Sequence, residues 1–197
     1  MAARDAVTDA PLHPLLAARW STRAFDAEEL LDAAQVVTLL EAARWAPSSG
    51  NGQPWRFAVA RRDDALHRRV VETLRRGNRT WAPAAALLLV LVAETADADG
   101  RERPTAQLDL GLALAALATQ ASADGLSVHA MAGFDADALA EVLDLPDRLR
   151  PLVVVAVGHH DPDASLDDGL RERESAPRQR LPLTDLVLAG DLALPPG

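Results

Sequence analysis

The 197-residue sequence predicts an α+β fold, a sheet covered by helices, and three observations predict it. Two uninterrupted apolar runs, 84–93 (AAALLLVLVA) and 152–157 (LVVVAV), have strand length and no polar face, which marks strands in the middle of a sheet. Between them, 105–124 reads as a long helix rich in small residues. Strands and helices are interspersed, yet no strand-to-helix junction carries the GxGxxG of a dinucleotide-binding Rossmann domain. The length suits one domain over 1–197, and 49% hydrophobic residues suffice for a core.

The elements follow in order. Residues 1–14, with two prolines, read as a loose N-terminal arm. Asp26 is placed to cap a helix, with Glu29 at the capping-box position, and that helix runs through 30–45 and stops before Pro47. It is apolar on most faces and is expected to be buried on more than one side, as in a dimer core. Residues 47–54 are dense in turn formers and read as a loop; 55–60 alternates as a strand. Asp63 or Asp64 caps a helix over 65–78, with Leu66, Val70, Val71 and Leu74 at helical spacing and Gly77 ending it. Residues 94–104 read as a polar surface loop, and Gly125 closes the long helix. A short strand at 127–131 and a helix from Asp135 to Leu143 precede the second buried strand. The stretch 159–197 reads as an extended tail that needs a partner surface to be ordered.

Composition excludes several kinds of chemistry. A net charge of −9 argues against nucleic acid as a partner, while leaving room for a local basic site that takes one small anion. The sequence has no Lys, Cys or Tyr, so it offers no Schiff-base lysine, thiolate nucleophile or phenolic acid. Redox chemistry would therefore come from a bound cofactor. The N-terminus has no apolar signal-type core, and the wholly apolar run 82–93 is shorter than the roughly 20 residues needed to span a bilayer. The helix at 105–123 is interrupted by Gln107, Asp109 and Gln120. The expectation is a cytoplasmic protein, with no membrane partner.

Four segments carry polar groups suited to a ligand, and each also has an ordinary reading. Arg19-Trp20-Ser21-Thr22-Arg23-Ala24-Phe25 offers guanidinium forks and hydroxyls suited to a phosphate monoester, or is a solvated turn. Ser48, Ser49, Asn51 and Gln53 in 46–55 could read a polar ring edge, or belong to a plain connection. Residues 129–135 could present backbone N–H groups, or form a simple strand-to-helix loop. Arg178 and Arg180 lie two residues apart, so on an extended chain both heads point one way; the bland reading is surface charge. His159-His160-Asp161 superficially suggests a metal cluster, but adjacent side chains diverge in extended chain, and no metal site is assigned.

Taken together, these segments resemble the nitroreductase family of FMN-dependent oxidoreductases. The first resembles its R-x-S-x-R-x-F opening. Glu41–Phe57 resembles its long E-A-A-x-x-A-P-S-S-x-N-x-Q-P-W-x-F block. Asn78 with Ala82-Pro83, the 125–135 stretch, and Arg178/Arg180 before Pro182-Leu183 follow in the family's order, so the resemblance spans 15–187. It implies a central, mainly antiparallel sheet flanked by helices, in a homodimer that exchanges C-terminal segments and holds FMN between subunits. Arg19, Ser21, Arg178 and Arg180 would hold the FMN phosphate, and Arg23 would lie near the flavin N1–C2 carbonyl. Ser48, Ser49 and Asn51, with Gln53 in the same block, would border the ring from the other subunit. Asn78 would meet the pyrimidine edge, and the N–H groups of Ala132 and Gly133 would face N5 and O4. Trp20 and Trp81 read most simply as core or interface residues, or else as walls of the flavin site; Trp81 stands where many relatives carry Lys, so either Arg23 alone supplies charge there or the pocket is more apolar. The resemblance implies ping-pong hydride transfer from NAD(P)H through flavin N5 to a nitroaromatic, quinone or enal, with no catalytic side chain. A dehydrogenase, oxidase or reductive dehalogenase on the same fold, and a non-catalytic flavin-binding protein, remain open alternatives.

Overall fold

The structure is a computed structural model that describes residues 6–190. Its organising element is strand β2 (Leu87–Glu94), whose eight residues are all buried. Successive side chains of a strand leave on opposite faces, so an uninterrupted apolar run requires cover on both. Leu87, Leu89, Leu91 and Ala93 pack against Val36 and Leu39 of α2 (Ala33–Arg44) and Leu110, Ala113 and Leu117 of α5 (Ala106–Ala123). Leu88, Val90 and Val92 pack the other way, against Val70 of α3 (Ala65–Thr73), Leu139 of α6 (Ala136–Val142) and Trp81.

The remaining strands are β1 (Trp55–Arg61), β3 (Ser127–Met131) and β4 (Leu149–Gly158), and the sheet order is β1-β2-β4-β3 with every neighbour antiparallel. Phe57 pairs with Leu91 and Leu89 with Val155, and the β2–β4 register slips between Leu91 and Val92, opposite Pro151. Pairing with β3 stops at Val154, so Pro151 lacks a ladder on that side, where its missing N–H costs nothing. The expected α+β architecture, a mainly antiparallel sheet flanked by helices, is therefore the one observed. Among the described residues there are also four short α-helices, α1 (Pro14–Ala18), α4 (Arg76–Arg79), α7 (Asp168–Ser175) and α8 (Leu183–Leu186), and two 3-10 helices, Ser49–Asn51 and Ala82–Ala84.

Three local expectations need correction. Asp26 caps only a turn, its carboxylate accepting from the amides of Glu28 and Glu29 at 2.7 and 2.9 Å. The helix begins at Asp32, which closes a capping box with Gln35. The carbonyls of residues 26, 29 and 31 are taken by Arg62 and Arg61, so they are unavailable to the amides a helix there would need. Gly77 does not end α3; it lies inside α4, because Leu74 bridges to Phe134 and the Arg75 amide donates to the Gly133 carbonyl at 2.9 Å. Part of the stretch read as an extended tail is helical: α7 is capped by Asp167, which accepts from the Leu170 amide.

Candidate functional site

The segment 19–25 has little regular structure of its own and is fixed by distant residues. Phe25 forms a bridge with His160, and the Asp26 amide donates to the His159 carbonyl. Thr22 is fully buried; its carbonyl meets His129 Nδ1 at 2.7 Å, which assigns the proton to Nδ1. Glu174 of α7 accepts from the Thr22 hydroxyl and, at 3.1 Å, from the Arg23 amide. Arg178 donates to the carbonyls of Ala17 and Arg19 at 2.6 and 2.9 Å. Arg178 thus positions the segment, and the tail pair does lie beside the first pair.

These contacts bring Arg19 near Arg180. Burial, and then the charge of Arg180, push the Arg19 guanidinium below its ordinary pKa. Among the described residues neither has a carboxylate partner within salt-bridge distance. Two cations crowded together without a counterion make a site in want of an anion, and the donor set suits a phosphate monoester. A small recess of about 170 Å³ opens here between Arg19, Trp20 and the α5 C-terminus at Ser122 and Gly125. Ser21 is exposed alongside.

Arg23 leads to a buried aromatic stack. Its guanidinium carbon lies 6.0 Å from the Trp81 ring centre, and Trp81 sits between Phe25, at 6.1 Å, and His129, at 4.5 Å. The Trp81 amide returns to the Asn78 carbonyl, and Asn78 Nδ2 donates to the Gly133 carbonyl at 3.0 Å. A Cβ at position 133 would lie 2.6 Å from Asn78 Nδ2, so only glycine permits this approach. Ala132, beside it, is exposed. Adjoining them is a cleft of about 750 Å³ lined by Arg75, Arg76, Arg79, Glu72, Asp135 and Asp137, among others.

Ser48, Ser49, Asn51 and Gln53 lie elsewhere. Gly50, Asn51 and Gln53 adopt φ of 55°, 56° and 45°, a left-handed conformation that costs a non-glycine residue about 1 kcal/mol or more. Anchors hold this loop: Asp109, 4% exposed, accepts from the Ser49 amide at 3.2 Å and from the Thr105 hydroxyl at 3.1 Å. Arg103 donates to the Gly52 carbonyl at 3.2 Å while pairing with the buried Glu94 at 3.5 Å. Asp109 is at the start of α5, whereas Arg19 sits beside Ser122 at its end. Thirteen residues of helix separate them by about 20 Å. Within one chain Arg19, Arg178 and Arg180 come together beside the start of β3, and Arg23 leads through Trp81 toward Asn78 and Gly133 beyond its end; the 48–53 loop is held apart, at the start of α5.

The sequence reading offered the Thr22 hydroxyl to a ligand, whereas the structure gives it to Glu174; it missed Asp109, Arg103 and Glu174. Asp109 carried a signal, a carboxylate on an otherwise apolar helix; Arg103 and Glu174 carried none, because Gly52, Thr22 and Arg23, which they hold, lie 51 to 152 residues away. The histidines 159 and 160 are used singly, against Glu29 at 3.3 Å and the Trp20 ring at 5.5 Å. No helix among the described residues is long and apolar enough to cross a membrane.

Burial pushes the pKa values of His129 and His67 below the ordinary value, so both are held neutral in the folded state. The unfolded chain protonates them below about pH 6.5. Stability is therefore expected to fall with pH from 6.5 downward, by up to about 1.4 kcal/mol per pH unit for each group until its folded pKa is reached. Urea unfolding at pH 7.5 and 5.5 measures the slope, and His129→Gln should flatten it; an unchanged slope would contradict the neutral assignment.

The model of the Nitroreductase family matches residues 16–80 and 70–159. A solved structure of an oxidoreductase containing FMN is 37% identical, with a TM-score of 0.88, covering 95% of this chain and 96% of that one. A protein from Desulfovibrio desulfuricans, described as a putative nitroreductase and solved in complex with FMN, is 25% identical, with a TM-score of 0.72 over 92% of this chain and 99% of its own. A 15.4 kDa uncharacterised protein of Mycolicibacterium smegmatis is 42% identical over 74 residues, a match spanning 38% of this chain and half the length of that relative.

Proposed function

The chain belongs to the Nitroreductase family, and on that footing we propose that it is an FMN-dependent NAD(P)H oxidoreductase acting as a homodimer with the flavin between subunits. The carrying observation is the approach of Arg19 and Arg180, from segments more than 150 residues apart, with no carboxylate within salt-bridge distance of either among the described residues. In a chain of net charge −9, such a local cluster of positive charge supports a bound anion. The FMN of the solved relatives supplies an anion of that kind.

Held there, FMN would supply two-electron hydride chemistry between NAD(P)H and a nitroaromatic, quinone or enal acceptor. The chain's part is binding, charge and exclusion of water. Arg19 and Arg180 hold the phosphate, with Ser21 as hydroxyl donor and Trp20 as wall. Arg23, seated over Trp81, supplies positive charge against the negative charge that reduction brings. Asn78 and Gly133 set the polar edge, and the Ala132 and Gly133 N–H groups are the donors beside it. The site needs no side chain as nucleophile or acid.

The gap of about 20 Å supports a second copy: Ser48, Ser49, Asn51 and Gln53 would meet the arginine cluster of another chain. On α5, Leu108, Gly111, Leu112 and Ala115 form an exposed stripe, flanked by Val37 and Trp45 at 58% and 76% exposure. Such a stripe beside the loop is the surface a twofold contact would cover. The exposed Leu181, Leu183 and Leu186 suit the segment exchanged between subunits.

The test is anaerobic stopped-flow absorbance of FMN-loaded protein mixed with NADH and, separately, NADPH. Rapid bleaching, reversed by a quinone or nitroaromatic, is the expected result. Bound flavin that neither donor bleaches would sink the reductase reading in favour of a dehydrogenase or a binding protein.

A further inference from the structure

Glu174 lies outside every motif of the sequence, yet its two carboxylate oxygens hold the most constrained point of the site. One accepts from the hydroxyl of the fully buried Thr22, which itself receives the Ala24 amide at 2.9 Å; the other accepts from the Arg23 amide at 3.1 Å. Both partners are neutral. Among the described residues Glu174 has no cationic side chain within salt-bridge distance, so its charge is spread over a hydroxyl and an amide and is not cancelled by a guanidinium. Arg23, whose own amide it holds, turns its guanidinium to the Trp81 ring instead. Four residues further along, Arg178 clasps the carbonyls of Ala17 and Arg19. Glu174 and Arg178 are one helical turn apart in sequence and grip the same strip of backbone, one through its donors and the other through its acceptors.

From this we propose that Glu174 is a positioning residue for the flavin, fixing the backbone that aims Arg23 and lowering the flavin's potential through its own uncancelled negative charge. This rests on the FMN reading above. The two effects separate chemically. The backbone grip needs a hydrogen-bond acceptor; the electrostatic effect needs the charge. Glutamine keeps one acceptor oxygen for Thr22 and removes the charge, whereas alanine removes both, taking the Glu174 acceptor from the Arg23 amide and leaving the Thr22 hydroxyl only its contacts with Ala24.

Full-length wild type, Glu174→Gln and Glu174→Ala are to be compared for thermal midpoint without flavin, affinity for FMN, and midpoint potential of the bound flavin. In Glu174→Gln the potential is expected to move positive: reduced FMN gains at least threefold in affinity relative to oxidised FMN, about 14 mV for a two-electron couple. FMN affinity is expected to fall about tenfold in Glu174→Ala and much less in Glu174→Gln, as the aim of Arg19 and Arg23 loosens. A wild-type protein that binds FMN, beside a folded Glu174→Gln variant whose potential is unchanged or more negative, would overturn this inference and leave the flavin reading intact. A wild-type protein that takes up no FMN would overturn both. If Glu174→Ala does not fold, the glutamine variant still decides.

Discussion

Replacing Arg19 with alanine is expected to weaken FMN binding by about 10- to 100-fold, the range for losing a charge-assisted hydrogen bond to a buried anion. The same substitution should leave the flavin-free protein as stable as wild type, or more so. Arg19 is crowded by burial and by Arg180, and removing it relieves both. The backbone at this position survives the change, because Arg178 holds the residue-19 carbonyl and not its side chain. Opposite signs in the two measurements separate a ligand-binding arginine from a structural one. Fluorescence titration of FMN with thermal melts of both forms reads them together. An affinity within twofold of wild type would remove Arg19 from the phosphate site.

Leu112→Arg is expected to convert a dimer into a 21.0 kDa monomer and to release FMN in the same step. The position is 38% exposed in the single chain, so the substitution leaves the core cluster behind it untouched and the monomer folded. In a twofold contact the change is made twice, and each buried unpaired guanidinium costs several kcal/mol. At least a hundredfold weaker dimerisation follows from that cost. Light scattering gives the mass, circular dichroism the fold, and filtrate absorbance the released flavin. A variant that stays dimeric and yellow would place the subunit contact elsewhere.

Much of the sheet was legible, because its signal is local. An uninterrupted apolar run such as 87–93 can be satisfied only between two layers, and the structure gives it both. The start of α2 was misread because two acidic cap signals compete six residues apart. What decides between them is arginine donation from β1 and the turn after it to the carbonyls of 26–31, which no local pattern contains. The site divides the same way. Arg19, Arg23, Asn78 and Gly133 stood in contiguous motifs, and the structure sets Arg19 against Arg180 and Asn78 against Gly133. Glu174 did not: its role comes from the return of a tail helix to segment 22–23, 151 and 152 residues back in the chain. A single Glu in a run of RERES looks like solvated surface until the topology is known.

Helix α5 carries Asp109 near one end and borders Arg19 at the other, so its length is a ruler. One inserted residue would turn everything beyond it by about 100° and advance it by about 1.5 Å. The loop gripped by Asp109 and the recess beside Ser122 would then fall out of phase. An inserted residue is therefore expected to be better tolerated in the exposed turn 98–100, outside the helix and clear of Arg103, than anywhere within α5.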